Sequence, residues 1–375
     1  MTDIGVNYFI STVFNQLYAT QNATGNIAFN GLGLYVVMAA INFGLRGRSY
    51  EQLLRVIGED FEELYDAENW ADSDLAWRWA DLRHIAEASS NMKAGLLCSC
   101  DIYTHYQEIS KLMCRLAHLN VNVSNPTDAV GRMNRWISLN MRYRSDTSFF
   151  DESIVGGERI LMIYTLFLQI DWRTNFNDSL TKQEIFYDDE GQLQEVSMMN
   201  QESFNLIYES PDDNFRILFK RLTHPLFYTA IVLPRDGMDV KDVLKSFKTD
   251  KMDYYFENSS IRYVKLKIPK FKISSQIDLI KTLKEFGITD IFDPHFSDFG
   301  RMTNRSVFIG NFIQVAHITA REGGETTFED IVAPDEQLFL HPYEFYVKRP
   351  FMIFVYSPLE NLVCVSIIVT NPNAA

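Results

Sequence analysis

The sequence predicts an α+β fold. Helical apolar spacing dominates the first 140 residues, and strand-like runs crowd the stretch from residue 159 to 369. The strands come next to one another rather than alternating with helices, which argues against a doubly wound parallel sheet. No Pro/Gly/Ser-rich linker and no internal repeat divides the 375 residues, so the chain reads as a single domain over 1–375.

Each element follows from its own residues. Val6, Phe9, Ile10, Val13, Phe14 and Leu17 form one apolar stripe, predicting a helix over 6–20. Residues 26–29 read as a short strand and 34–43 as a buried helix. A helix from Ser49 to Ile57 follows, with Gly58 placed to cap it. The run 59–74 is acidic without Lys or Arg and reads as a solvated insertion. Residues 75–88 are helix-like, 92–103 strand-like, and a helix begins at Asp128. Residues 159–170 are almost unbroken apolar, as a central strand covered on both faces must be. Residues 215–219 and 228–233 read as paired strands closed by the turn 234–237. The stretch 261–273 alternates as a strand, 278–286 is an amphipathic helix, and strands are expected at 307–312, 351–356 and 362–369.

Composition excludes several functions. A net charge of -14 argues against phosphate-backbone binding, so no nucleic-acid partner is expected. No apolar run approaches the ~18 residues of a membrane span. The N-terminal segment lacks the basic start of a secretory leader, which points to a cytoplasmic protein. Cys98, Cys100, Cys114 and Cys364 do not make a disulfide framework, and they read as buried thiols. Cys98 and Cys100 would share one face of a strand. No nucleophile elbow, Walker loop or HExxH motif is present. His295 with Asp293 and Asp298 is the best acid–base grouping and is weak as either a catalytic or a metal site. No catalytic residue, cofactor or metal is expected.

Residues 319–350 combine small, polar and acidic residues in a long segment between strand-like runs, and such segments are usually functional or disordered. The residues around it resemble the serpin family. Residues 264–273 (VKLKIPKFKI) look like the family's "PKF" strand. Asp278, Leu279 and Leu283 with residues 285–292 look like its "DL…L…LGI…F" helix and turn. Residues 296–299, Arg349-Pro350-Phe351 and Asn371-Pro372 match further elements in order. Upstream, Asn134 and Trp136 resemble "INxWV", residues 196–199 resemble "VPMM", and Trp172 resembles the tryptophan at the top of the main sheet. The resemblance implies three β-sheets, eight or nine helices and an exposed C-terminal reactive-centre loop, here about 321–346, in a monomer. The suggested membership is a viral or other leaderless intracellular one.

The resemblance also implies a function without catalysis. A target protease attacks the loop as bait and forms an acyl-enzyme; the cut loop then enters the large sheet as a strand. Glu322, Gly323, Gly324, Glu325, Thr326 and Thr327 match the family hinge. Strand alternation then turns Gly324, Thr326, Phe328, Asp330, Val332 and Pro334 inward. Asp330 resists burial. The family's polar cluster under the sheet is replaced at Asn30, Gly31, Gly33, Tyr164 and Ile313. These departures favour the alternative of a non-inhibitory binding or decoy protein. Spacing from the hinge puts the reactive bond at Asp335 or Glu336, with Gln337 and Leu338 as alternatives. Asp335 suits a granzyme- or caspase-like protease, whereas Leu338 suits a chymotrypsin-like one.

Overall fold

A computed structural model describes residues 3–66, 68–141, 148–156, 158–323 and 341–374. The chain divides into two compact units. The first comprises Leu32–Phe167 and Ser275–Ala316; the second comprises the residues up to Gly31, Leu168–Ser274, and His317 onward.

In chain order the helices are α1 (Asp3–Thr20), α2 (Gly31–Phe43), α3 (Gly47–Ile57), α4 (Glu63–Asp66), α5 (Asp74–Ser90), α6 (Thr104–Cys114), α7 (Pro126–Asn140), α8 (Val240–Ser246), α9 (Met252–Glu257) and α10 (Ile280–Glu285). The strands are β1 (Ile27–Phe29), β2 (Lys93–Cys98), β3 (Ala117–Asn120), β4 (Arg159–Ile170), β5 (Lys182–Tyr187), β6 (Leu193–Glu209) and β7 (Phe215–Arg221). They continue with β8 (Tyr228–Pro234), β9 (Ser260–Pro269), β10 (Phe271–Asp278), β11 (Phe308–Ala320), β12 (Tyr343–Tyr346), β13 (Phe351–Ser357) and β14 (Leu362–Val369). The α+β expectation is met.

The first unit holds the body of a five-stranded sheet in the order β10-β11-β4-β2-β3. Antiparallel β2 and β4 pair Ala94 with Tyr164, and β3 adds in parallel to β2. α7 starts at a side-chain cap, with Asn125 accepting from the Asp128 N–H. It packs Ala129, Met133 and Ile137 into a cluster with Leu161, Ile163, Ile313 and Val315. Gly58 ends α3 at φ 69°, the left-handed cap expected of it.

The second unit carries nine strands in the path β1-β14-β13-β8-β7-β6-β9-β12, with β5 on β6. The apolar stripe of α1 is buried there, and Phe14 lies edge-on to Phe354 at 6.1 Å. Gly31 is a glycine for a spatial reason: a Cβ there would meet Ile10 side-chain carbons at 2.5–3.0 Å.

Several expectations are corrected. The acidic run is not wholly solvated, because Phe61 and Leu64 are buried and Phe61 stacks edge-on against Phe43 at 4.7 Å. It also contains the four-residue α4, which helps bring the described α-helical segments to ten. The stretch 261–273 is two strands parted at Lys270, whose N–H donates to the Ser197 carbonyl at 2.9 Å. β2 ends at Cys98 rather than near residue 103. α6 and β3 have no counterpart in the sequence reading. The resemblance implies three sheets, whereas the described strands form two; the seventeen-residue β6 pairs with β5 and β9 and then, at Leu206–Glu209, with β7.

Asn7 ties α1 to the end of β13–β14. Its amide donates to the Asn361 carbonyl at 2.7 Å and accepts from the Val363 N–H at 2.9 Å, and the residue is fully buried. Asn7→Ala orphans both groups, at about 1–3 kcal/mol each. Calorimetry is expected to show a loss of that order with the fold retained; an unchanged melting temperature would refute this role.

Candidate functional site: the anchored ends of the 324–340 segment

Residues Gly324, Glu325, Thr326 and Thr327 of the hinge, and Asp335, Glu336, Gln337 and Leu338 of the reactive bond, lie outside the described residues. So does Asp330. The structure describes what holds the segment at each end, and both ends lie in the second unit.

At the N-terminal end, β11 delivers the chain to Glu322. Its carboxylate takes Lys270 Nζ at 2.9 Å and the Thr181 hydroxyl at 2.8 Å, and its carbonyl accepts from the Phe176 N–H at 3.0 Å. Burial alone would raise the Glu322 pKa, but hydrogen bonds from Lys270, from a backbone N–H and from Thr181 outweigh it and hold the carboxyl below its ordinary value. Gly323 follows at φ 101°. A Cβ there would stand 2.2 Å from Asn175 Oδ1, so backbone conformation and close approach both demand glycine.

Behind this anchor runs a buried polar chain. The Trp172 indole N–H donates to the Thr229 hydroxyl at 3.0 Å, which donates to the Lys220 carbonyl at 3.1 Å. Lys220 Nζ donates to Gln201 Oε1 at 2.5 Å, and Gln201 Nε2 donates to the Asn175 carbonyl at 2.7 Å. Lys220 also lies over the Phe176 ring at 5.3 Å. Thus Trp172, Glu322 and Gly323 are brought into one network. Lys220, Gln201, Asn175, Thr181 and Lys270 complete it, and sequence reasoning assigned a role to none of them. The one available signal was Glu322 itself, since a buried carboxylate demands a cation.

At the C-terminal end, residues 343–346 belong to a strand rather than to the loop. β12 pairs in parallel with β9, Tyr343 facing Val264 and Tyr346 facing Lys267. Arg216 donates to the Glu344 carbonyl at 3.0 Å and lies over the Phe345 ring at 5.0 Å.

The remaining predicted positions are not part of this network. Asn30 is buried in the second unit beside the start of α2. Tyr164 and Ile313 lie in the first unit, on opposite faces of their sheet. Ile313 sits in the α7 cluster with Ile163, whereas the Tyr164 ring lies 6.3 Å from Phe312. The Tyr164 hydroxyl is buried with no hydrogen-bond partner among the described residues. Asp293 and Asp298 cap the backbone N–H groups of His295 and Gly300, which is turn geometry.

Burial lowers the Lys220 pKa to about 7. Because an unfolded lysine titrates near 10.4, the unfolded chain binds more protons between the two values, and stability is expected to rise with pH there. The slope approaches ~1.4 kcal/mol per pH unit at most. In Lys220→Met this slope between pH 7.5 and 9.5 is expected to disappear, while Ser203 still donates to Gln201 Oε1 at 3.2 Å. Parallel melting curves for the two proteins across that range would contradict it.

Known proteins resemble this chain along most of its length. Human glia-derived nexin is 23% identical over 383 residues, covering 95% of this chain and 89% of the nexin. Serine proteinase inhibitor 1 of rabbitpox virus (strain Utrecht) is 22% identical over 336 residues, covering 88% and 91%. The structure of native protease nexin-1 with heparin superposes with a TM-score of 0.84 at 20% identity, over 99% of this chain and 100% of the other. The pattern of the family described as serpin (serine protease inhibitor) matches residues 5–372, and the chain belongs to that family.

Proposed function

We propose that the chain is a suicide-substrate inhibitor of a serine or cysteine endopeptidase, with residues 324–340 as bait. The observation that carries this reading is the anchor at the end of β11: a half-buried ion pair at Glu322 followed by a glycine that backbone conformation and close approach both demand. Such an anchor fixes where a cut strand would begin to zip. In the five-stranded sheet β11 and β4 are hydrogen-bonded neighbours, so a new strand would enter by parting their ladder and pairing with both.

In the proposed mechanism the protease nucleophile attacks the carbonyl carbon of Asp335 or Glu336 and the amine of the following residue leaves, giving an ester or thioester. The freed N-terminal side pairs between β4 and β11, carrying the acylated protease with it before water can attack. An acidic residue at the cut selects a protease whose pocket presents Arg or Lys, as a granzyme- or caspase-like enzyme would. Cleavage after Leu338 would instead suit a chymotrypsin-like one. The buried, unpartnered Tyr164 hydroxyl supports a native state held above its minimum, since such a group costs about 1–3 kcal/mol.

A second reading, a serpin-fold binding or decoy protein, is favoured by Asp330. Alternation from Gly324 turns its carboxylate inward, where an unpaired charge takes up a proton instead.

Incubation with granzyme B, caspase-1 and chymotrypsin is expected to give an SDS-stable covalent complex with at least one. The cleaved protein is expected to melt well above the intact one. Clipped chain alone with every protease, and no melting shift, would leave only the decoy reading. Asp330→Ala is expected to raise the ratio of complex to clipped product several-fold; an unchanged ratio would mean that residue 330 does not face inward.

A further inference from the structure

We propose that Cys98 and Cys100 form a peroxide-responsive dithiol, in which Cys100 is the attacking sulfur and Cys98 the resolving one. The two thiols stand where β2 ends and the chain bends through Ser99 and Cys100. Cys98 Sγ donates to the Cys100 carbonyl at 3.4 Å, which places its thiol beside the Cys100 backbone. Both residues are reduced and buried. Cys100 lines a cavity of about 420 Å³ with Ser99, Glu158, Asn304, Arg305, Ser306 and Val307, and Cys98 is not part of its wall. Its walls are polar and include a guanidinium, which suits a small hydroperoxide rather than an apolar ligand.

The two sulfurs are electronically unequal. The neighbouring Cys98 thiol, and then Thr303, hold the Cys100 pKa below the ordinary thiol value against the burial that would raise it. The nearness of Cys100, together with burial, pushes Cys98 up. A lowered pKa marks the nucleophile of a redox pair, and such a cysteine is often poised next to the thiol that resolves it. Cys114 provides the contrast: it is fully buried, donates to the Val36 carbonyl at 3.4 Å, and burial raises its pKa.

The chemistry balances with a hydroperoxide as oxidant. The Cys100 thiolate attacks one peroxide oxygen; the S–O bond forms, the O–O bond breaks, and the leaving oxyanion takes a proton to become water or an alcohol. Cys98 Sγ then attacks the sulfenic sulfur. The S–S bond forms, the S–O bond breaks, and hydroxide leaves with the Cys98 proton as water. Two thiols become one disulfide and the peroxide is reduced.

The sequence provides a clean readout. Trypsin releases residues 94–111 as one peptide holding both Cys98 and Cys100, whereas Cys114 and Cys364 fall in others. The native protein, treated briefly with hydrogen peroxide and then alkylated, is expected to yield that peptide lighter by two hydrogen atoms and unalkylated. Dithiothreitol is expected to restore both thiols, and Cys114 and Cys364 are expected to stay reduced throughout. Cys98→Ser is expected to accumulate a Cys100 sulfenic acid that dimedone captures, and Cys100→Ser to leave Cys98 unreactive. The proposal fails if the 94–111 thiols oxidise no faster than Cys114 and Cys364. It fails equally if Cys98 remains reactive in Cys100→Ser, or if the disulfide joins Cys100 to Cys114. An unchanged melting temperature in each variant confirms that the comparison is between folded proteins.

Discussion

The carboxylate of Glu322 is the constraint on which the N-terminal anchor of the 324–340 segment depends. It is mostly buried, with the side chain 15% exposed, whereas its partner Lys270 is 40% exposed. Solvent therefore screens the ion pair, and Coulomb attraction alone would contribute little. The larger effect is what Glu322 would suffer without its donors, because a buried carboxylate stripped of hydrogen bonds is costly. Lys270 and Thr181 thus act less as a source of stability than as a condition for Glu322 to be there at all. Gly323 adds a second condition that no side chain can meet.

The opposite end is held differently. β12 is fixed by ladder hydrogen bonds to β9 and by Arg216 stacked over Tyr343 and Phe345. Glu184 binds Lys267 at 2.6 Å and Lys348 at 3.6 Å, and so braces β9 and the chain just beyond β12 together. One end of the 324–340 segment is therefore set by Glu322 and Gly323, the other by a strand whose pairing with β9 is already made.

How much of this was legible follows from where each signal sits. β4 could be read because a strand covered on both faces must be apolar throughout, and residues 159–170 are. Glu322 and Gly323 could be read from motif alone. Lys220 could not: in a strand reading FRILFKR, the closing Lys-Arg pair looks like the start of solvent, and only the tertiary fold buries the lysine. Phe61 was hidden by its acidic neighbours, because composition averages away one aromatic anchor. α6 was hidden because its buried face, Tyr106, Ile109, Ser110 and Met113, includes a serine whose hydroxyl bonds back to the Tyr106 carbonyl at 2.7 Å. The glycine at position 31 looked like a lost family residue, and the structure shows it making room for Ile10.

The departures at Tyr164, Ile313 and Asp330 act on different states in the proposed mechanism. Adding a strand between β4 and β11 exchanges one ladder of hydrogen bonds for two, so its driving force is large and comes from backbone that any sequence supplies. Tyr164 and Ile313 belong to the closed sheet. The orphaned hydroxyl of Tyr164 raises the energy of that state, whereas Ile313 lowers it by packing with Ile163 and Met133 under α7. Their opposing effects bear on how readily the sheet opens. Asp330 is exposed to this choice only after the strand has begun to enter, so its cost falls on completing insertion. A trap works when insertion outruns hydrolysis of the acyl bond, and that race is run between the start and the end of zipping. With the strand phased from Gly324, Asp330 and Pro334 would fall in that interval and the sheet residues would not, so in the proposed mechanism these two positions are where an inhibitor would become a substrate.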